Sequence, residues 1–414
     1  MTPSGLVECE VGVSEGRIAE VRKQGLAGER RVKAGSSIVF PGFVDIHVHM
    51  REPGWEKKED FRTGTRAAAH GGVTTVADMP NNPVPIVSLE EVERKRKLAK
   101  AKAVVGVELY GGVRPDRLDL IPRLSDDVRA FKVYMSSTTG SAPFPSLELP
   151  RAFKAIVETQ KPVSLHCEDQ LVIDRASRQL EGVDRPDLYS DLRPPEAEAK
   201  AVSLAMGSMV GTPKLRANVC HASTRETLEL LGEATASGLS VTCEATLHHL
   251  YFSRKALEGN RLLQTNPPLR AEDDRAELVR GLRDGRVSFL VTDHAPHLAE
   301  EKGEQGLSGV PGLDDYGHMV SWLMKRQGFE PRRVAQVASG GPASYLGLSD
   351  RGEISVGKRA DLAILDLSSS ERVDPDNLQT KCGWSPYEGV EFPGRIRWTF
   401  VAGEPVVEDY EVVG

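Results

Sequence analysis

The residues best suited to chemistry form a His-x-His-x-Arg motif at residues 47–51, directly after a Pro-Gly turn and a short apolar run. Side chains at positions i and i+2 of a β-strand point to the same face. His47 and His49 can therefore direct two imidazoles at one point, as a metal ion requires. Arg51 continues this alternation, and its planar guanidinium would bind a carboxylate next to the metal.

Further candidate metal ligands stand within or at the ends of later apolar runs. They are Lys132, His166, His221 and Asp293. Each has an ordinary structural explanation on its own, since a lone histidine often hydrogen-bonds in the core and an aspartate often caps a helix. Four histidines and one aspartate that all fall at the C-terminal ends of strands are hard to attribute to such roles together. The joint pattern therefore predicts a metal site.

Lys132 is the most informative of these residues because a charged amine is costly to bury in an apolar strand. Reaction of the amine with carbon dioxide would give a carbamate, an anionic group that can bridge two divalent cations. Two cations on a shared bridge lower the pKa of a bound water toward neutrality, and the resulting hydroxide can attack an amide carbonyl. Asp293 would then serve as a metal ligand and as the shuttle that carries the proton from this water to the leaving nitrogen.

These residues must be positioned by strands that alternate with helices. The apolar runs predicted as strands are 43–47, 73–79, 104–110, 128–135, 162–167, 215–221, 239–245 and 287–292. The helical patterns are 59–70, 88–102, 116–124, 149–159, 195–210, 225–237, 275–284, 314–326 and 331–346. Eight such strands predict a closed (β/α)8 TIM-type barrel, whose sites lie at the C-terminal strand ends. An open doubly wound sheet is the alternative, but it usually carries a Gly-rich phosphate turn after its first strand, and this sequence has none.

The pattern of the chain divides it into three parts. Residues 1–40 and 351–414 contain short alternating strands and turns, whereas residues 41–350 carry the strand–helix alternation. We therefore predict a metal-dependent barrel domain and a small β-rich domain that the two chain ends form together.

The composition is that of an ordinary globular protein, with 39% hydrophobic and 27% charged residues among 414. The net charge of −7 argues against a nucleic-acid partner or an anionic membrane surface. The five cysteines form no CxxC pair, and neither a signal peptide nor an apolar stretch of membrane-spanning length stands out. These features lead us to expect a protein of the reducing cytoplasm.

The motifs together resemble the amidohydrolase superfamily and, within it, the dihydroorotase family. The motifs that carry the resemblance are HVHMREPG at 47–54, MPNN at 79–82, FKVY at 131–134, HCE at 166–168, CHAS at 220–223, HHL at 248–250, NPPLR at 266–270, DHAPH at 293–297 and VPGL at 310–313. They cover nearly the whole chain, and the set is highly specific although its single members are not. The resemblance implies a hydrolase that acts on cyclic amide C–N bonds.

The resemblance also implies roles for individual residues. Two zinc ions per chain would be held by His47, His49 and Asp293 for the first, by His166 and His221 for the second, and by carboxylated Lys132 as the bridge. A clamp on the substrate α-carboxylate would consist of Arg51, Asn81 and His297, with Asn266 near the ring and Thr138 and Thr139 in a mobile covering loop. The implied reaction is the reversible interconversion of L-dihydroorotate and N-carbamoyl-L-aspartate in pyrimidine (UMP) biosynthesis.

Two other interpretations are weighed against this one. An allantoinase or hydantoinase would share the metal ligands, but its substrate lacks the carboxylate that Arg51 and Asn81 would bind. A non-catalytic interaction protein on the same fold would have lost metal ligands, whereas every ligand position is filled here. The number and identity of the metals, the carboxylation of Lys132, a homodimer and a complex with aspartate transcarbamoylase are not decided by the sequence.

Overall fold

The computed structural model describes residues 1–2, 5–182 and 185–414. Its strands are β1 (Glu10–Ser14), β2 (Arg17–Arg22), β3 (Ile38–Pro41), β4 (Phe43–Val48), β5 (Val73–Asp78), β6 (Gly106–Gly112), β7 (Ala130–Tyr134), β8 (Val163–His166), β9 (Arg216–Val219), β10 (Ser240–Thr246), β11 (Phe289–Val291), β12 (Leu362–Asp366), β13 (Glu371–Arg372), β14 (Glu391–Phe392), β15 (Arg395–Val401), β16 (Glu404–Glu408) and β17 (Glu411–Val412).

The α-helices lie mostly between these strands. They are α1 (Phe61–His70), α2 (Leu89–Lys102), α3 (Ile121–Leu124), α4 (Leu149–Val157), α5 (Gln170–Gln179), α6 (Tyr189–Leu192), α7 (Pro195–Met209), α8 (Arg225–Ala236), α9 (Leu247–Tyr251), α10 (Glu272–Asp284), α11 (Ala299–Gln305), α12 (Tyr316–Lys325), α13 (Pro331–Ala335) and α14 (Gly341–Tyr345). Within the described ranges, none of the helices has both the length and the apolar character to cross a membrane.

The central sheet is a barrel of eight parallel strands in the order β4 to β11. The two outermost strands meet through a bridge between Val48 and His294, where the His49 amide donates to the His294 carbonyl at 2.8 Å. The predicted (β/α)8 barrel is therefore confirmed. Every predicted strand ends within two residues of the observed one, because apolar runs bounded by turns mark buried parallel strands well.

The helix predictions were less complete. The Ser-x-x-Glu pattern at Ser88 forms the expected capping box at the start of α2. Helix α5 was not predicted, although Asp169 caps it by accepting from the Val172 amide at 3.0 Å. The helix predicted over 331–346 is interrupted by a π-helical turn at Gln336–Gly340. Pro342 follows this turn and lacks the amide hydrogen that a continuous α-helix needs there.

The chain ends form a separate antiparallel sheet in the order β17-β16-β15-β12-β3. Strand β3 comes from the N-terminal part and pairs with β12, with Pro41 opposite Leu362. The β1–β2 hairpin is attached to the C-terminal part, since the Ile18 amide donates to the Lys358 carbonyl at 2.8 Å. The predicted small β-rich unit built from both ends is thus confirmed, while the boundaries at residues 40 and 350 stay predictions.

Candidate active site and metal centre

A cleft opens at the C-terminal ends of the barrel strands. It is lined by His47, His49, Arg51, Asn81, Tyr134, Thr138, Thr139, His166, His221, Asn266, Asp293, Ala295, Ser308 and Gly309. Nearly all the predicted site residues therefore meet in one place. Lys132 lies fully buried in β7, and His297 lies buried in contact with Arg51 and is not among the residues that line the cleft.

The strand ends that carry these residues are held by hydrogen bonds and have an unusual backbone. The Asp45 carboxylate accepts from the His47 amide at 3.1 Å and from the Thr292 hydroxyl at 2.5 Å, which ties β4 to β11. Asp293 and His221 adopt left-handed backbone conformations, with φ of 47° and 38°. Non-glycine residues adopt such values only where their surroundings enforce them, which is frequent at active sites.

One group of ligand atoms converges on the Asp293 carboxylate. The Nε2 atoms of His49 and His47 lie 3.0 and 3.4 Å from Asp293 Oδ1. The Nδ1 atoms of the same two rings lie next to hydrogen-bond acceptors. His49 Nδ1 is 2.8 Å from Asn81 Oδ1, and His47 Nδ1 contacts the Glu244 carboxylate. With Nδ1 protonated toward these acceptors, both Nε2 lone pairs face Asp293, as the ligands of one metal ion would.

A second pair of ligand atoms lies opposite. His166 Nδ1 and His221 Nε2 are 3.0 Å apart, so the two lone pairs can share one cation. His166 Nε2 lies 2.8 Å from Glu168 Oε2. Glu168 is in turn held by Arg193, whose Nε donates to both carboxylate oxygens at 3.0 and 3.1 Å. The carboxylate thus fixes the imidazole with its Nδ1 atom toward His221.

Lys132 reaches the same cluster from within β7. Its Nζ donates to Cys220 Sγ at 2.8 Å and lies 5.2 Å from the centre of the Tyr134 ring. Within the described ranges, no carboxylate lies at ion-pairing distance from this amine. A fully buried amine without an anionic partner is costly, and conversion to a carbamate would remove the positive charge.

Burial and mutual proximity set the charge states of the candidate ligands. Burial, together with neighbouring positive groups, lowers the pKa of His47, His49, His166 and His221 below the ordinary value. Burial opposes the charge of Asp293, but the adjacent His47 and His49 outweigh it and hold the pKa of this carboxyl below its usual range. Neutral imidazoles and an ionised carboxylate are the forms that bind metal.

The donor set fits a metal centre. The ligand atoms of His47, His221 and Asp293 all lie within 4.8 Å of one another. The two groups described above are therefore neighbours, since His47 and Asp293 belong to the first and His221 to the second. Imidazole nitrogens with carboxylate oxygens suit Zn²⁺ and related divalent ions. His47, His49 and Asp293 can hold one ion, and His166 with His221 can hold a second.

A cationic corner adjoins the candidate metal centre. Arg51 is buried, and its Nε donates to the Pro296 carbonyl at 3.0 Å while Nη2 lies 3.1 Å from His297 Nε2. Burial lowers the pKa of Arg51 to about 10, so the guanidinium stays charged at neutral pH. Asn81 also lines the cleft, and its Nδ2 donates to the Thr139 carbonyl at 2.8 Å. Thr138 and Thr139 line the cleft, while the covering of the substrate by a mobile loop stays a prediction.

Sequence reasoning did not assign several residues that orient this site. Glu244 contacts His47 and accepts from Asn218 Nδ2 at 2.7 Å. Tyr189 donates to Asn266 Oδ1 at 2.6 Å and also contacts the Ser308 hydroxyl. An acid within a buried strand is the same kind of signal that identified Lys132, and it could have identified Glu244. The sequence carries no comparable signal for Tyr189.

Comparison with known proteins agrees with this geometry. The amidohydrolase family model matches residues 38–406. The chain belongs to the amidohydrolase family. A curated dihydroorotase of Pyrococcus furiosus is 31% identical over 412 residues, covering 99% of this chain and 91% of that protein. The dihydroorotase of Methanothermobacter thermautotrophicus is 33% identical and covers 97% of this chain and 92% of its own. The predicted superfamily, the dihydroorotase branch within it and the prediction of a hydrolase are confirmed.

Solved structures of the family share the whole architecture. The L-hydantoinase (dihydropyrimidinase) from Arthrobacter aurescens superposes with a TM-score of 0.95 at 27% identity, covering 100% of this chain and 95% of that one. A D-hydantoinase superposes with a TM-score of 0.93 at 23% identity, covering 100% and 94%, which shows the common fold alone.

Proposed function

We propose that this chain is a dihydroorotase, which interconverts L-dihydroorotate and N-carbamoyl-L-aspartate reversibly in pyrimidine biosynthesis. This proposal rests mainly on the position of Arg51 and Asn81 in the same cleft as the candidate metal ligands. Dihydroorotate is a cyclic amide with one carboxylate, and a guanidinium fork with an amide donor suits that group. The curated relatives named dihydroorotase support the same substrate.

We propose two zinc ions per chain. His47, His49 and Asp293 would hold the first, His166 and His221 the second, and Lys132 in its carbamate form would bridge them. When bound, these ions supply a nucleophilic water at neutral pH and polarise the amide carbonyl of the substrate. A lysine ammonium group carries a positive charge and could not bridge two cations, so the proposal includes carboxylation of Lys132.

The protein's own groups account for orientation and proton transfer. Arg51, Asn81 and His297 bind the substrate carboxylate and so place the ring amide next to Asp293. Asp293 accepts a proton from the attacking water as the new C–O bond forms. It then delivers this proton to the ring nitrogen as the C–N bond breaks, which gives the carbamoyl product. The reverse sequence closes the ring.

The ring of the substrate would contact Asn266, which also lines the cleft. The hydrogen bond from Tyr189 occupies Asn266 Oδ1, which leaves the Nδ2 hydrogens to donate to a ring carbonyl. The loop at Thr138 and Thr139 would shield the ring from bulk water once the substrate is bound.

The competing activity is that of a hydantoinase, which the structural similarity to such an enzyme favours. A hydantoin ring without a carboxylate would leave the buried Arg51 guanidinium without an anionic partner.

The test is the turnover of L-dihydroorotate, hydantoin and allantoin by the purified zinc-loaded protein. Selective turnover of L-dihydroorotate supports our proposal, whereas faster turnover of hydantoin or allantoin contradicts it.

We also propose that the enzyme works in the cytoplasm, because all five cysteines are unpaired and three of them are buried. A homodimer and a complex with aspartate transcarbamoylase are compatible with this role. Light scattering of the purified protein, alone and mixed with that enzyme, would detect either assembly.

A further inference from the structure

His297 lies between two cationic side chains. Lys58 Nζ is 2.9 Å from His297 Nδ1, and Arg51 Nη2 is 3.1 Å from His297 Nε2. Lys58 belongs to the segment before α1, whereas His297 follows β11, so the fold brings them together from distant parts of the chain. Sequence reasoning gave Lys58 no role.

The two cations cannot both donate to the same neutral imidazole. A neutral ring has one N–H and one lone pair, whereas ammonium and guanidinium groups only donate. If Lys58 donates to Nδ1, the proton of His297 must sit on Nε2. The Nε2–H and the Arg51 Nη2–H groups are then two donors whose nitrogens lie 3.1 Å apart, and a carboxylate oxygen is an acceptor that would satisfy both.

We propose that Lys58 is a specificity-determining residue, which fixes the Nε2–H tautomer of His297 so that this ring and Arg51 donate together to the substrate carboxylate. The inference rests on the proposed dihydroorotase function, which it deepens by adding a residue that sets the donor pattern. Lys58 acts through His297, so it is a positioning residue.

The surroundings of Lys58 restrain its ammonium group. Glu301 of α11 pairs with Nζ at 2.9 Å, and the side chain is only 12% exposed. The centre of the Trp55 ring lies 5.9 Å from Lys58 Nζ and 5.8 Å from the Arg51 guanidinium. The same aromatic ring therefore attracts both cations.

The charge state of His297 agrees with this arrangement. Burial, then the charges of Arg51, Lys58 and Lys302, keep the pKa of His297 far below its ordinary value, against a weak opposing hydrogen bond with the Ser308 backbone. The imidazole is therefore neutral, and its choice of tautomer decides whether it can donate to an anion.

The first test uses Lys58→Met in the full-length zinc-loaded enzyme. We expect the KM for L-dihydroorotate to rise about tenfold or more, because a charge-assisted hydrogen bond to the carboxylate is lost. The kcat should stay within about threefold of the native value, because Asp293 and the metal ligands are untouched. Lys58→Arg restores a cationic donor and should recover part of the lost affinity. Lys57→Met changes the exposed neighbour and serves as the matched control, with an unchanged KM.

The second test detects the tautomer of His297 directly. Nitrogen-15 NMR of the histidine side chains distinguishes the two neutral tautomers, and His297→Gln identifies the signals of His297 by their loss. The inference predicts the Nε2–H pattern in the native protein and its partial loss in Lys58→Met.

The outcomes separate the two proposals. An Nδ1–H pattern in the native protein overturns the inference, and so does an unchanged KM in a folded, metal-loaded Lys58→Met enzyme. Failure of the native enzyme to turn over L-dihydroorotate refutes the proposed function instead. The NMR measurement then still decides whether Lys58 sets the tautomer.

Discussion

Replacing Arg51 with alanine isolates what the substrate carboxylate contributes to binding. The Arg51 side chain is 3% exposed, and its Nε is already occupied by the Pro296 carbonyl. The terminal guanidinium nitrogens remain for the substrate. Two charge-assisted hydrogen bonds of about 1.5–3 kcal/mol each, allowing for imperfect additivity, give a loss of roughly 3–5 kcal/mol. This corresponds to a fall in kcat/KM of about 10²–10⁴-fold for L-dihydroorotate.

The assay compares two substrates and one control variant. Steady-state kcat/KM would be measured for L-dihydroorotate and for dihydrouracil, which has the same ring without the carboxylate, while mass spectrometry counts zinc per chain. In Arg51→Ala, the kcat/KM for dihydrouracil and the zinc content per chain should both stay near the native values. Arg51→Lys keeps the charge but not the planar fork, so it should fall between the native enzyme and the alanine variant. Equal losses for both substrates, or loss of the metal, would refute the clamp.

Three further predictions address the metal centre and the fold. Asp293→Asn should lower turnover by about 10³-fold or more, because proton transfer is lost, yet retain part of the zinc; near-native turnover would exclude the shuttle. Lys132→Met should lower the zinc content to about one per chain, since the proposed bridge is removed; two retained ions would contradict the bridge. Burial opposes the charge of His318, but hydrogen bonds to Asp315 and Glu371 raise its pKa to about 9. The protonated imidazole therefore stabilises the fold below about pH 6.5, and up to about 3 kcal/mol is lost as pH rises through 9. Urea unfolding of metal-free native and His318→Asn protein should show this loss only in the native chain, and parallel pH profiles would disprove it.

The barrel could be predicted from the sequence because its determinants are local. Buried parallel strands are nearly continuous apolar runs, and residues at their C-terminal ends meet by topology alone. His47, His166, His221 and Asp293 could therefore be assigned to one cleft without knowledge of any distance. Lys132 stood out because a lysine within an apolar strand is energetically conspicuous.

The residues that orient the ligands could not be predicted in the same way. Glu244 contacts His47 across a sequence separation of 197 residues, and nothing local to either residue encodes that pairing. The role of Lys58 depends on which ring nitrogen of His297 it reaches, and this is a matter of side-chain geometry. Helix α5 was missed because its signal is a single capping residue, Asp169, directly after a strand end.

From the sequence, the spacing of residues indicated Arg51 as a carboxylate-binding group, whereas Asn81 and His297 were added to the clamp only through resemblance. The structure adds a physical reason for it, because Arg51 is held by Pro296 and Trp55 in a fixed direction toward the cleft. A guanidinium that is restrained before substrate arrives loses less conformational entropy on binding. The same restraint makes a carboxylate-free ring a poor fit, since it would bury the charge without an anionic partner.

The most direct test of the central claim is a zinc titration of the metal-free protein, with L-dihydroorotate turnover measured at each zinc-to-chain ratio. The account predicts that turnover rises with added zinc and reaches its maximum near two ions per chain, as a bridged pair requires. Full turnover without zinc, or no turnover of L-dihydroorotate at any ratio, would contradict it.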